Sequence, residues 1–135
     1  MKIKFPIKLV IKGNPITKKN HSNIYVNKKT GRPFVSPSSQ YKEYLKLFIL
    51  QCVGYRNINL NQPLNIKCEY YMETKRMVDL TNLLSSTMDC LVSAGVIEDD
   101  NCNIAVSNDG SRVYYDKNNP RVEIEISESE RTFVC

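Results

Sequence analysis

The sequence predicts a small mixed α/β (α+β) domain, one mixed β-sheet packed with two main helices. Three observations point there. Residues 64–74 (LNIKCEYYMET) and 121–127 (RVEIEIS) alternate apolar and polar side chains with the period of a strand. Residues 40–53 and 79–94 instead repeat apolar positions at helical spacing. The 135 residues suffice for one core but not two, so residues 1–135 form a single domain with a loose tail from about residue 129.

Taken in order, residues 3–12 (IKFPIKLVIK) mix apolar and basic residues and predict a strand ending at Gly13, with Pro6 pushing its start to a sheet edge. GNPITKKNHSN is a loop by its Gly, Pro and Asn content. NIYVN is a short strand, and KKTGRP after it is a hairpin turn. Ser38 or Ser39 is placed to cap the first helix, in which Tyr41, Tyr44, Leu45, Phe48 and Cys52 recur at helical spacing before Gly54. That spacing assigns Tyr41 and Tyr44 to a core or interface before any base-stacking role. In the strand 64–74, Tyr70 and Tyr71 point to opposite faces, so at most one is core. The second helix ends at Gly95. Asn-Asp-Gly inside residues 103–115 signals a hairpin, and RVEIEIS is the last, half-exposed strand.

Composition narrows the function classes. No apolar run approaches the roughly 20 residues a membrane helix needs, and the lysine-interrupted N-terminus does not resemble a signal peptide. The five cysteines include no CxxC pair, and His21 is the one histidine. A zinc site and a Ser-His-Asp or Cys-His mechanism are both disfavoured, and reduced thiols in a cytoplasmic protein are expected. The charge is uneven. Residues 1–50 carry 11 basic residues and one acidic residue, Glu43, while the other 85 carry 8 basic and 13 acidic. This division suits a polyanion-binding part and an acidic part with another task; a merely lysine-rich chain gives the same count.

The chemistry concentrates in residues 75–101, KRMVDLTNLLSSTMDCLVSAGVIEDDN. Asp79 falls at the helix N-cap. Leu80, Leu83, Leu84, Thr87, Met88 and Leu91 share one face, and Asn82, Ser85, Ser86, Asp89 and Ser93 share the opposite stripe. Beyond Gly95 come Asp99 and Asp100. Carboxylates that converge from the helix start, its polar stripe and this pair would suit Mg2+, which prefers oxygen ligands and can promote phosphodiester hydrolysis. Read separately, Asp79 is a cap, Asp89 a solvated position and Asp99-Asp100 a surface turn.

The stretch resembles the RusA family of Holliday junction resolvases, which occur often in phages and prophages. DLTNL (Asp79 to Leu83) resembles the family's D-x-D-N-L segment. Asp89 matches its helix aspartate, and GVIEDD (Gly95 to Asp100) its Gly-then-Asp-Asp segment. KGNPITKKN resembles the opening G-x-P-x-x-K-K, and the YKEYLKL helix and EIEI strand also fit. The resemblance implies a homodimer of small mixed α/β subunits that nicks four-way or branched DNA in paired fashion. Mg2+, or Mn2+ in its place, would activate the attacking water, with no small-molecule cofactor and no membrane partner. It implies Asp79 and Asp100 as metal ligands with Asp99 beside them, and Asp89 as a further catalytic position.

Two positions depart from the family pattern: Thr81 stands where the second Asp belongs, and Ser85 where a Lys belongs. A hydroxyl is a weak neutral ligand, and the missing Lys removes a positive charge from the phosphate's surroundings. These departures raise an alternative, a branched-DNA-binding protein with weak or lost cleavage. Lys18, Lys19, Lys28, Lys29 and Arg32 are the expected phosphate contacts, with Lys75 and Arg76 upstream of Asp79 as further ones.

Overall fold

The computed structural model describes residues 3–17, 22–26, 28–37 and 39–133. In chain order the elements are β1 (Ile7–Lys12), β2 (Ser22–Val26), β3 (Pro33–Pro37), α1 (Ser39–Gln51) and β4 (Leu64–Met72). They continue with α2 (Leu80–Ser93), β5 (Ala105–Ser107), β6 (Arg112–Tyr115) and β7 (Arg121–Glu128). The mixed sheet runs β1-β7-β4, with β5 and β6 each paired to the outer side of β4. β7 is antiparallel to both β1 and β4, whereas β5 and β6 are parallel to β4. β2 and β3 form a separate antiparallel pair.

The period-2 patterns divide the sheet into two faces. Ile7, Leu9 and Ile11 pair with Ile126, Ile124 and Val122, and these lie across from Ile66, Cys68 and Tyr70. This face is buried in one cluster with Tyr41 and Phe48 of α1 and Leu83, Met88 and Leu91 of α2. Burying each large aliphatic side chain contributes about 1.5–3 kcal/mol. The opposite face carries Lys8, Glu125, Lys67 and Glu69, linked by ion pairs of 3.3–3.9 Å. Tyr70 is therefore core and Tyr71 is not, and the buried Tyr41 and part-buried Tyr44 take core places.

α2 is displaced from its expected amphipathic division at one position. Ser86 is buried, and its hydroxyl donates to the Ile16 carbonyl at 3.0 Å. The serine satisfies a carbonyl of the GNPIT loop instead of facing water. Beside it, the Thr87 and Tyr70 hydroxyls lie 2.7 Å apart in the interior. The helix ends in a Schellman motif: Val96 N–H bonds to Leu91 O and Gly95 N–H to Val92 O, both at 3.0 Å, with Gly95 at φ +71°.

The hairpin expected over residues 103–115 is not formed. The Asn-Asp-Gly turn exists, but β5 and β6 follow one another along β4 instead of pairing together. The physical reason is Asn65, whose side chain fills the gap between them. Its Oδ1 accepts from Asp109 N–H at 2.8 Å and from the Ser107 hydroxyl, and its Nδ2 donates to Asp109 O at 3.2 Å. Asn108 Nδ2 donates to Ile66 O at 2.9 Å, and Cys68 N–H donates to Ser111 Oγ at 3.0 Å. Side chains thus replace the ladder bonds a hairpin would supply.

Cys52, Cys68 and Cys90 are free and buried. Cys102 is disulfide-bonded, which departs from the expectation of reduced thiols; it is exposed in the turn after Asp100, where sulfur is open to oxidation. The expected tail begins with a tie: Ser129 N–H bonds to Pro63 O at 3.0 Å. No helix among the described residues is long and apolar enough to cross a membrane.

Candidate functional site

Asp79 occupies the N-cap position of α2, in extended conformation, but its side chain makes no capping bond. The carboxylate instead accepts from the Asn82 amide at 3.2 Å and remains exposed. A cap that declines to cap leaves its charge available to something else. Thr81 and Ser85, the two departures, are also exposed on the first turns of this helix.

The loop feeding Asp79 meets the first sequence motif in space. Asn14 Oδ1 accepts from Glu73 N–H at 2.8 Å, and Ile16 O accepts from Ser86 as described. Between them lies a cleft of 560 Å³ lined by Asn14, Pro15, Ile16, Thr17, Arg76 and Val78, with Tyr44 and Leu47 of α1. The GNPIT loop and the segment from Met72 to Val78 that leads into the DLTNL helix, some 60 residues apart in the chain, therefore frame one recess.

The other three aspartates sit elsewhere. Asp89, Asp99 and Asp100 line a second cleft of 370 Å³ with Tyr41, Leu45, Val92 and Ser93. The fold carries Asp99 and Asp100 there through a zipped segment: residues 57–60 bond to the backbone of Ala94, Gly95 and Val96, and Glu98 N–H bonds back to Leu60 O. Both Asp99 oxygens are engaged locally, one by Asp100 N–H at 2.7 Å and one by the Asn101 amide at 3.1 Å. These donors hold the Asp99 carboxyl below its usual range. Asp100 moves the opposite way: partial burial raises it first, then its neighbour Asp99, and Asp89 more weakly. Burial, with Cys90 and Asp89 adding, keeps the Tyr41 hydroxyl protonated beside them.

Ten residues of helix separate Asp79 from Asp89, about 15 Å at 1.5 Å per residue. One chain therefore brings Asp89, Asp99 and Asp100 together and leaves Asp79 at the far end of α2. Among the described residues, no group of three or more His, Cys, Asp or Glu is disposed to hold a metal ion. Among the described residues of one chain, Asp79 is therefore not gathered with the other carboxylates expected to hold Mg2+. Of the expected phosphate contacts, Lys28, Lys29 and Arg32 are exposed in the turn joining β2 and β3, and Lys75 and Arg76 are exposed ahead of Asp79. Lys18 and Lys19 lie outside the described residues.

The model of the RusA endodeoxyribonuclease family matches residues 6–127. The chain belongs to the RusA family. The matched span takes in every element from β1 through most of β7, so the aspartates, both clefts and the basic turns all lie within it. No curated protein matches the chain. RusA membership implies nuclease activity in general and a Holliday-junction-resolvase type of function. What sequence reasoning missed is the local use of Asp99 in its own turn, legible in the Asp-x-Asn spacing of Asp99 and Asn101, and the Tyr41 hydroxyl at the acidic cleft, whose helical spacing marked it only as core.

Proposed function

We propose that this RusA-family chain binds four-way or branched DNA and that its cleavage is weak or absent. The observation that carries the proposal is the division of the acidic residues: Asp79 stands about 15 Å along α2 from Asp89, and Thr81 and Ser85 replace the carboxylate and ammonium beside it. DNA binding itself is supported by the exposed Lys28, Lys29, Arg32, Lys75 and Arg76. Contacts of that kind are read through phosphates and weaken steeply with salt.

A second reading is favoured by the unused capping group of Asp79. Metal-dependent nicking is retained in a two-fold dimer, where Asp79 of one copy completes a set with Asp100, and Asp99 or Asp89, of the other. Mg2+ or Mn2+ would be the metal.

A synthetic four-way junction, with linear duplex as control, separates the two. The proposal expects salt-dependent junction binding, few nicks with Mg2+, and at least a tenfold gain in nicking in the double variant Thr81→Asp/Ser85→Lys. Efficient paired nicks by the unmodified chain that need Mg2+ and vanish in Asp79→Asn overturn it in favour of the second reading.

A further inference from the structure

The open face of the sheet carries a stacked row that the acidic residues do not explain. The register aligns Lys12, Arg121, Tyr71 and Tyr114 side by side across β1, β7, β4 and β6. The Arg121 guanidinium lies 3.8 Å from the centre of the Tyr71 ring. Tyr71 and Tyr114 are stacked, with ring centres 5.0 Å apart and planes within 18°. That spacing matches the roughly 4.8 Å between neighbouring strands, so the rings stand upright on the sheet and stack from strand to strand.

The row is held from its inner end. Arg121 bonds to Asp116 Oδ2 at 3.0 Å, to Glu123 Oε2 at 2.7 Å and to Asn119 O at 2.9 Å. Among the described residues the outer end is open. No described strand pairs with β6 beyond β4, and Tyr114 is 39% exposed. One face of its ring is covered by Tyr71; the other is turned to the sheet edge.

We infer that the outer face of Tyr114 is a stacking site for an unpaired nucleobase of single-stranded DNA. Any base continues the Arg121–Tyr71–Tyr114 stack, since every base offers a flat π-face. The surroundings suit a phosphate backbone. Arg112 projects from the same face of β6 two residues earlier, and Lys117 follows the strand; both are exposed and neither forms an ion pair among the described residues. On the other side of β6, the Lys75 ammonium sits 4.9 Å from the centre of the Tyr115 ring. This contact ties the strand to the loop that leads into Asp79. A base held on Tyr114 would thus lie across β6 from the loop that leads into Asp79. The preformed row lowers the ordering cost of binding. The inference rests on the reading of the chain as DNA-binding and adds to it a site for unpaired bases.

The chain contains no tryptophan, so Tyr114→Trp places a single indole at the site. Its fluorescence should be quenched on adding an oligothymidylate and much less on adding blunt duplex. In anisotropy titrations, Tyr114→Ala should weaken oligothymidylate binding by about 5–150-fold, the equivalent of one base–aromatic stack. Tyr114→Phe, which keeps the ring, should stay within about twofold of the unmodified chain. Equal affinity of Tyr114→Ala and the unmodified chain for the oligomer, or equal losses on oligomer and duplex, would overturn the inference. Junction binding that is indifferent to Tyr114 while the oligomer fails to bind removes this site and leaves the proposed function standing. Tyr114-dependent oligomer binding without junction binding does the reverse, and no binding to any DNA removes both.

Discussion

Replacing Gly95 by alanine tests how the fold delivers Asp99 and Asp100. Gly95 sits at φ +71°, where a side chain costs an L-residue about 1–2 kcal/mol. An added Cβ would also lie 2.8 Å from Asn57 Oδ1, 2.9 Å from Asn57 Cα and 3.0 Å from Asn57 N. Two of these are backbone atoms, and Asn57 N–H is itself bonded to Ala94 O at 3.2 Å. The neighbour cannot swing aside without loosening the segment that zips residues 57–60 to the helix end. Overpacking of this kind adds about 1–3 kcal/mol, for a total of about 2–5 kcal/mol. In a domain of this size that lowers Tm by roughly 6–25 °C. Gly54 supplies the control: it has φ +86° but nothing within 4 Å of an added Cβ, so Gly54→Ala should lose only the conformational part, about 1–2 kcal/mol. Urea unfolding followed by circular dichroism measures both. Equal destabilisation by the two variants would refute the argument, because the contact with Asn57 would then carry no weight.

Three further outcomes are expected. Thr87→Val should destabilise by about 1–3 kcal/mol by removing the buried partner of the Tyr70 hydroxyl, and Tyr70→Phe in the same chain should recover much of the loss; a double-mutant cycle with additive losses would contradict this. Asn65→Ala should lower stability by about 1–3 kcal/mol and speed amide exchange at Asp109 before the sheet core, since Asp109 N–H bonds to that side chain; unchanged exchange there would count against Asn65 as the bridge between β5 and β6. Burial pushes the Cys52 thiol from 9.0 up to about 11, partly offset by Arg56, and Cys68 up to about 12. Because the folded state holds these protons more tightly, the stability they contribute is full below pH 9 and is lost as pH rises from 9 towards 11 or 12. Urea midpoints should fall over that range, and less steeply in Cys52→Ala; an equal fall in both would remove Cys52 from the account.

Sequence periodicity determined the main architecture. Alternation in IKLVIK, LNIKCEYYM and RVEIEISE places one side of each strand in the core, because a strand's side chains change face at every residue. The 3.6-residue repeat placed α2, and Gly95 marked its end, because a left-handed C-terminal residue favours glycine. The resemblance of DLTNL, GVIEDD and KGNPITKKN reached the family from residue order alone. Tertiary structure decided what spacing could not. Periodicity gives a face but not a neighbour, so Ser86 was assigned to solvent when a loop carbonyl from Ile16 was waiting for it. Turn chemistry gives a reversal but not a partner strand, so Asn-Asp-Gly marked a turn while Asn65, more than 40 residues earlier, turned the expected hairpin into two steps along β4. The aspartates show the same limit. Their order along the chain matched one family pattern, but a rigid helix holds Asp79 at one end and Asp89 towards the other, and only the folded chain shows which carboxylates share a cleft. The Arg121–Tyr71–Tyr114 row was hidden for the same reason, since its members come from three strands and only the sheet register makes them neighbours.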